Sequence, residues 1–186
     1  DSTVLVLVSR SIAGMLPTVL SRCQQIRFAP LPDQDITEYL RRSGMAPDRA
    51  AQVTGYAQGS IKRALFLAGS DFLERRAEMA SVLSRGSARH AADAFSLATS
   101  IADDDEATVP ALEFLHSWYR DLLMLHEGLT GPVLYNRDMA EALSAACRHE
   151  TRDSIVKKIQ AIQAVRNSLA LNVDVQLALE SMLLQE

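Results

Sequence analysis

The sequence predicts a mainly α-helical protein with a short α/β stretch at its front. Aromatic residues make up only 5% of the chain while Ala and Leu abound, a balance that favours helices over sheets. From residue 33 onward, apolar residues recur at helical spacing in one segment after another. Only two stretches have strand character, the run Val4–Val8 and the polar–apolar alternation that carries Ile26 and Phe28, and both precede residue 30.

Taken in order, Val4–Val8 reads as a buried strand. A short helix is expected to begin at Pro17, whose fixed φ and missing N–H suit a first helical position. It runs out at Ser21-Arg22-Cys23. The second strand ends at Phe28-Ala29-Pro30-Leu31-Pro32, where two prolines remove ladder donors and mark a joint. Three short helices follow. Asp33 is a suitable N-cap for Ile36, Tyr39 and Leu40, with Gly44 as the stop. Pro47 opens the second, with Ala50, Val53 and Ala57 on one side. Ser60 caps the third, which carries Ile61, Ala64, Leu65 and Ala68 and closes at Gly69.

Beyond residue 70 the pattern is helical throughout. Phe72, Arg76, Met79 and Leu83 define one helix ending near Gly86, and Ala88 to Ile101 is an Ala-rich second. Asp103 to Glu106 places negative charge before the next helix, where the helix dipole favours it. That helix carries Leu112, Leu115, Tyr119, Leu122 and Leu125, with Pro110 in its first turn. A loop spans 128–132, a helix covers Met139 to Cys147, and another starts at Thr151 or Ser154 with Ile155, Ile159, Ile162, Val165 and Leu169. Asn172-Val173-Asp174 breaks it, and Leu177 to Leu183 closes the chain. The division is therefore 1–30, 31–70 and 71–186.

The net charge of −4 and pI of about 5.6 argue against gripping nucleic acid through the overall field. No apolar run approaches the roughly 20 residues that span a bilayer. Cys23 and Cys147 lie far apart and fit neither a disulfide nor a zinc pattern, which points to a reducing, cytoplasmic setting. No metal or cofactor is expected. The acidic run 103–106 has consecutive residues that do not converge on an ion, and His116 and His126 have no acid or thiol at useful spacing. The chain opens at Asp1 almost directly into a strand, and no G-x-x-x-x-G-K-[ST] loop occurs in it, so it reads as the C-terminal part of a longer protein.

Leu16-Pro17-Thr18-Val19-Leu20-Ser21-Arg22-Cys23, followed by the strand to Phe28, resembles the segment of bacterial clamp-loader subunits, of the AAA+ ATPase class, that carries an arginine finger. A guanidinium is permanently charged and planar, so it suits a transferring γ-phosphoryl group. The competing reading of Arg22 is a helix-end cation facing carbonyls. Gly59-Ser60-Ile61-Lys62-Arg63-Ala64-Leu65 resembles the sensor-2 segment G-S-x-R-x-A-L of the same subunits, but Lys62 stands where an active ATPase has arginine. An ammonium cannot reproduce the two-pronged guanidinium contact. Lys62 and Arg63 are thus either phosphate ligands or exposed helix cations, and Ser9, with Arg10, is either a sensor-1-like residue or a strand-end polar group. The ending Asn172-Val173-Asp174 with Leu179-Glu180-Ser181-Met182-Leu183-Leu184 resembles the delta-prime family of these subunits more than the tau/gamma ATPases.

What this resemblance implies is the tail of an AAA+ base (1–30), a three-helix lid (31–70) and a helical collar (71–186). It implies a subunit of the DNA polymerase III clamp loader that hydrolyses no ATP usefully itself. Arg22, supported by Ser21 and Cys23, would act in trans on ATP held by a neighbouring gamma/tau subunit. The ring would be a hetero-pentamer with gamma/tau and delta that loads a sliding clamp on primed DNA. The alternatives are a tau/gamma ATPase, or an unrelated helical interaction module in which Arg22 is buried or paired.

Overall fold

The computed structural model describes residues 3–9, 14–85, 91–102, 105–169 and 174–184. Among these the chain forms ten α-helices and no strand, so the mainly helical reading holds. The two expected strands do not form. Val4 to Val8 has no regular secondary structure and its side chains lie largely in solvent, and Ile26 and Phe28 are 71% and 92% exposed. A strand exists only through a ladder and a covered face, and no described segment offers either to these residues.

The helices are α1 (Pro17–Leu20), α2 (Asp33–Arg42), α3 (Pro47–Ala57), α4 (Ile61–Gly69), α5 (Phe72–Ser84), α6 (Ala91–Ala102), α7 (Asp105–His126), α8 (Ala140–Cys147), α9 (Arg152–Ser168) and α10 (Val175–Leu183). Several begin where cap chemistry predicts. Ser60 Oγ accepts from Arg63 N (3.3 Å), Thr151 Oγ1 from Ser154 N (3.2 Å) and Asp174 Oδ1 from Leu177 N (3.0 Å). Asp33 is not the cap of α2 but its first residue, where its carboxylate still faces the positive end of the dipole. Helix α7 begins five residues before Pro110, which lies inside it rather than in its first turn. Gly86, Ala88, Asp103, Asp104, Asn172 and Val173, at which the sequence suggests ends, caps and breaks, lie outside the described residues.

Helices α2, α3 and α4 pack on one another through Ile36, Leu40, Ala50, Val53, Ala57, Ala64 and Leu67, all buried. Helix α5 continues from α4 and touches α6, α7 and α8. Helix α7 is the hub, packed against α5, α6, α8 and α9, and α10 covers α6 and α9. Its Leu112, Phe114, Leu115, Trp118, Tyr119 and Leu122 have no solvent exposure, which accounts for the wide apolar stripe in the sequence. The core is continuous from α2 to α10.

Candidate functional site around Arg22 and the helix three to helix four turn

Pro17 opens α1 with its ring at a position where an N–H would find no partner. The helix buries no residue, so local bonds hold its C-terminal end. Ser21 N–H donates to Pro17 O (2.9 Å), Ser21 Oγ–H to Thr18 O (3.2 Å) and Arg22 N–H to Val19 O (3.1 Å). Cys23 N–H reaches Leu20 O at 3.4 Å. The Ser21 hydroxyl thus absorbs a helix-end carbonyl that a cation would otherwise face. The Arg22 side chain projects into solvent, with no hydrogen bond or ion pair to any described residue. Cys23 is an exposed thiol, and Ser9 is exposed in the irregular segment 3–9; Arg10 is outside the described residues.

The Arg22-bearing segment meets the helical body at the turn between α3 and α4. Leu31 N–H donates to Gly59 O at 2.9 Å. Gly59 has a left-handed φ of +76°, and a Cβ there would lie 2.2 Å from Pro30 Cβ and 2.7 Å from Pro30 Cα. The glycine of the G-S-x-R-x-A-L-like segment is therefore required twice, by its backbone angle and by the chain packed against it.

The two cations after it behave differently. Lys62 is exposed on α4. Arg63 turns inward: its Nε donates to Tyr56 O at 2.7 Å, and its guanidinium pairs with Glu113 of α7, which is only 9% exposed. Arg166 of α9 approaches the other oxygen of Glu113 at 3.8 Å. Burial, then the neighbouring Arg166, pulls Arg63 below its ordinary pKa. Arg63 thus fastens α4 to α3 and α7.

A larger polar cluster, which no sequence motif announces, sits deeper. Arg76 of α5 is 2% exposed and lies over the Tyr56 ring, 5.3 Å from its centroid. Its guanidinium donates to both Asp138 oxygens (2.7 Å each), to Asn136 Oδ1 (3.0 Å) and to Tyr56 OH (3.1 Å). Asn136 in turn gives its backbone N–H and Nδ2 to Asp121 Oδ2 (2.8 and 2.9 Å) and bonds the Tyr56 hydroxyl through Oδ1. Asp121 and Asn136 have no solvent exposure. Hydrogen bonds from Arg76 hold the Asp138 carboxyl below its ordinary range against the opposing effect of burial, and burial pushes the Tyr56 hydroxyl up. No spacing rule joins residues this far apart, and the residue types are common; the one signal is Arg76 in line with apolar core positions.

No group of three or more His, Cys, Asp or Glu among the described residues could hold a metal ion. His126 Nε2 lies 3.0 Å from Glu150 O, and burial and the nearby Arg166 and Arg120 hold His116 below its ordinary value. No helix among the described residues is long and apolar enough to cross a membrane.

The helical body thus pairs Arg63, Arg76 and Asp121 inside, while Arg22 and Arg27 are exposed on the segment that precedes it. Residues 70–186, well over half of the chain, match the family model for the C-terminal region of the DNA polymerase III delta subunit. The chain belongs to that family. It is also 23% identical over 185 residues to the DNA polymerase III subunit delta' of Bacillus subtilis strain 168, a match covering 98% of this chain and 56% of that protein. The resemblance to delta-prime subunits carried by its motifs therefore stands, and the chain spans about half the length of the relative it matches.

Proposed function

We propose that this chain is the C-terminal portion of a delta-prime clamp-loader subunit that supplies Arg22 to ATP bound on an adjacent gamma/tau subunit. The ring would contain gamma/tau, delta and this subunit, and would act in the cytoplasm to place a sliding clamp on primed DNA. In this reading residues 1–30 are the tail of an AAA+ base, 31–70 a lid and 71–186 a collar. The subunit hydrolyses no ATP itself.

The observation that carries the proposal is the Arg22 guanidinium, held beyond the end of α1 and engaged by no described residue. An unrelated helical module would bury or pair it. Its partner is sought outside the chain, and a γ-phosphoryl group gathering charge is the partner a planar, permanently charged fork fits best. Ser21 and Cys23 hold the turn on either side. Arg63, committed to Glu113, is assigned a packing role, and the exposed Lys62 and Ser9 are given no part in the chemistry. The lid thus lacks a free sensor-2 guanidinium, which supports hydrolysis at the neighbour's site.

The test is Arg22→Ala in the subunit assembled with its partners. Melting temperature and assembly should be unchanged, while clamp- and DNA-stimulated ATP turnover should fall. Arg22→Lys should fall almost as far, since a point charge lacks the fork. Wild-type stimulated turnover in Arg22→Ala would refute the proposal.

A further inference from the structure

We infer that the groove between α5, α6 and α7 is a docking site for a basic amphipathic helix of a partner protein, with aliphatic anchors flanked by lysine or arginine. The inference is independent of Arg22, and the groove's walls come from α4 to α7, inside the helical body.

Two adjoining hollows of about 100 and 430 Å³ share Asp71, Arg75, Met79, Ala107 and Ala111 and make one open groove. Its floor is apolar. Phe72, Met79, Leu97, Ile101 and Ala111 lie there, each less than a tenth exposed. Phe66 stands at one end with 44% of its surface in solvent, a large apolar side chain that the body leaves uncovered. An apolar floor rimmed by polar residues marks an interaction surface, and aliphatic side chains of a partner gain by leaving water for it.

The rim sets the sign of the partner's charge. Asp71, Glu74 and Glu78 line it at spacings of three and four residues, a row about 10 Å long on one side of α5. Glu74 and Glu78, four residues apart, repel each other. Arg75 is taken by Asp71 at 2.8 Å, Glu74 is shared with Arg49 at 3.0 Å, and Glu78 makes no ion pair with any described residue. The α7 wall adds an acceptor. Pro110 has no N–H, so the carbonyl of residue 106, one turn back, lacks its intrahelical donor. Carboxylates beside an underused carbonyl select a cationic partner and repel nucleic acid and acidic segments. A helix laid along the row presents its cations at the same repeat, with its apolar face on the floor.

Fluorescence anisotropy of labelled synthetic peptides added to the whole subunit is the test. The probe is a helix-forming peptide with leucines along one face and lysines flanking them. One control peptide has glutamate for lysine, and another has serine for leucine. The lysine–leucine peptide should bind, and both controls should bind at least about tenfold more weakly. Glu74→Gln with Glu78→Lys should weaken the lysine–leucine peptide by about tenfold. Glu141→Lys with Asp153→Asn makes the same change in net charge on the exposed faces of α8 and α9, and should leave binding within about twofold. All four substitutions are at exposed positions, so circular dichroism should match the parent. Failure of the lysine–leucine peptide to bind the whole subunit would overturn the inference. So would a control peptide that binds as tightly, or equal weakening by the two pairs of substitutions.

Discussion

Replacing Asp121 by Ala should be among the most damaging single changes in the helical body. Asp121 lies on α7 with no solvent exposure. Its carboxylate accepts the backbone N–H groups of Tyr135 (3.1 Å) and Asn136 (2.8 Å) together with Asn136 Nδ2 (2.9 Å). Arg120, a third exposed, also touches it but can turn to solvent. The alanine variant would strand those donors, each buried and unsatisfied donor costing about 1–3 kcal/mol, not additively. It would also loosen Asn136, through which Tyr56 and Arg76 are held. A loss of about 3–5 kcal/mol follows, comparable with other broken buried charge networks. That is a large part of the roughly 5–15 kcal/mol available to a folded domain. At this size it amounts to a drop in melting temperature of about 6–20 °C. Asp121→Asn keeps the shape but turns one acceptor into a donor facing N–H groups, so it should fall between, at about 1–3 kcal/mol. Thermal melts followed by circular dichroism, with urea titrations as the second probe, read the series. A melting temperature for Asp121→Ala within about 2 °C of the parent would refute the reasoning, since it would mean the donors find water or new partners at no cost.

Two further outcomes bear on the buried charges. Lys158 on α9 is 1% exposed and pairs with Glu150 beneath the Tyr119 ring, so Lys158→Met alone should cost about 3–5 kcal/mol by leaving a carboxylate unpaired; adding Glu150→Gln should recover most of it in a double-mutant cycle. Asp138, held below its ordinary value of 3.8 chiefly by Arg76, stabilises the fold at every pH above that value and loses the effect as pH falls through its lower folded-state value. Urea midpoints taken from about pH 5 down to about pH 3 should therefore drop less steeply in Asp138→Asn than in the parent, and equal slopes would contradict the assignment.

Much of the helical body is legible in the sequence because its signals are local. Pro47, Ser60 and Thr151 mark helix starts by chemistry that acts within one turn, and the stripe Leu112, Leu115, Tyr119, Leu122 names the buried face of α7 directly. What escapes is non-local. Val4–Val8 has the composition of a buried strand, but burial depends on a sheet that no described residue provides, so composition alone misleads. Arg63 illustrates the same limit within the candidate site. Its place beside Lys62 offers a phosphate ligand or an exposed helix cation, whereas its fate is decided by Glu113, far along the chain on another helix. Gly59 reads as a stop, which it is, but its contact with Pro30 depends on how the Arg22-bearing segment crosses the turn. The Arg76–Asn136–Asp121 cluster has no local signature beyond a cation in an apolar row.

The central claim is that Arg22 acts across a subunit boundary on nucleotide held elsewhere, and one arrangement isolates it. In a reconstituted loader, hydrolysis is disabled at every ATP site except the one on the gamma/tau subunit that faces Arg22. Single-turnover ATP hydrolysis with clamp and primed DNA is then compared between Arg22 and Arg22→Ala. Because no other site contributes, the loss is undiluted, and the account predicts a fall on the order of 10³ or more with ATP still bound and the ring still assembled. A rate for Arg22→Ala within about twofold of the parent, from a fully assembled and nucleotide-loaded ring, would contradict it.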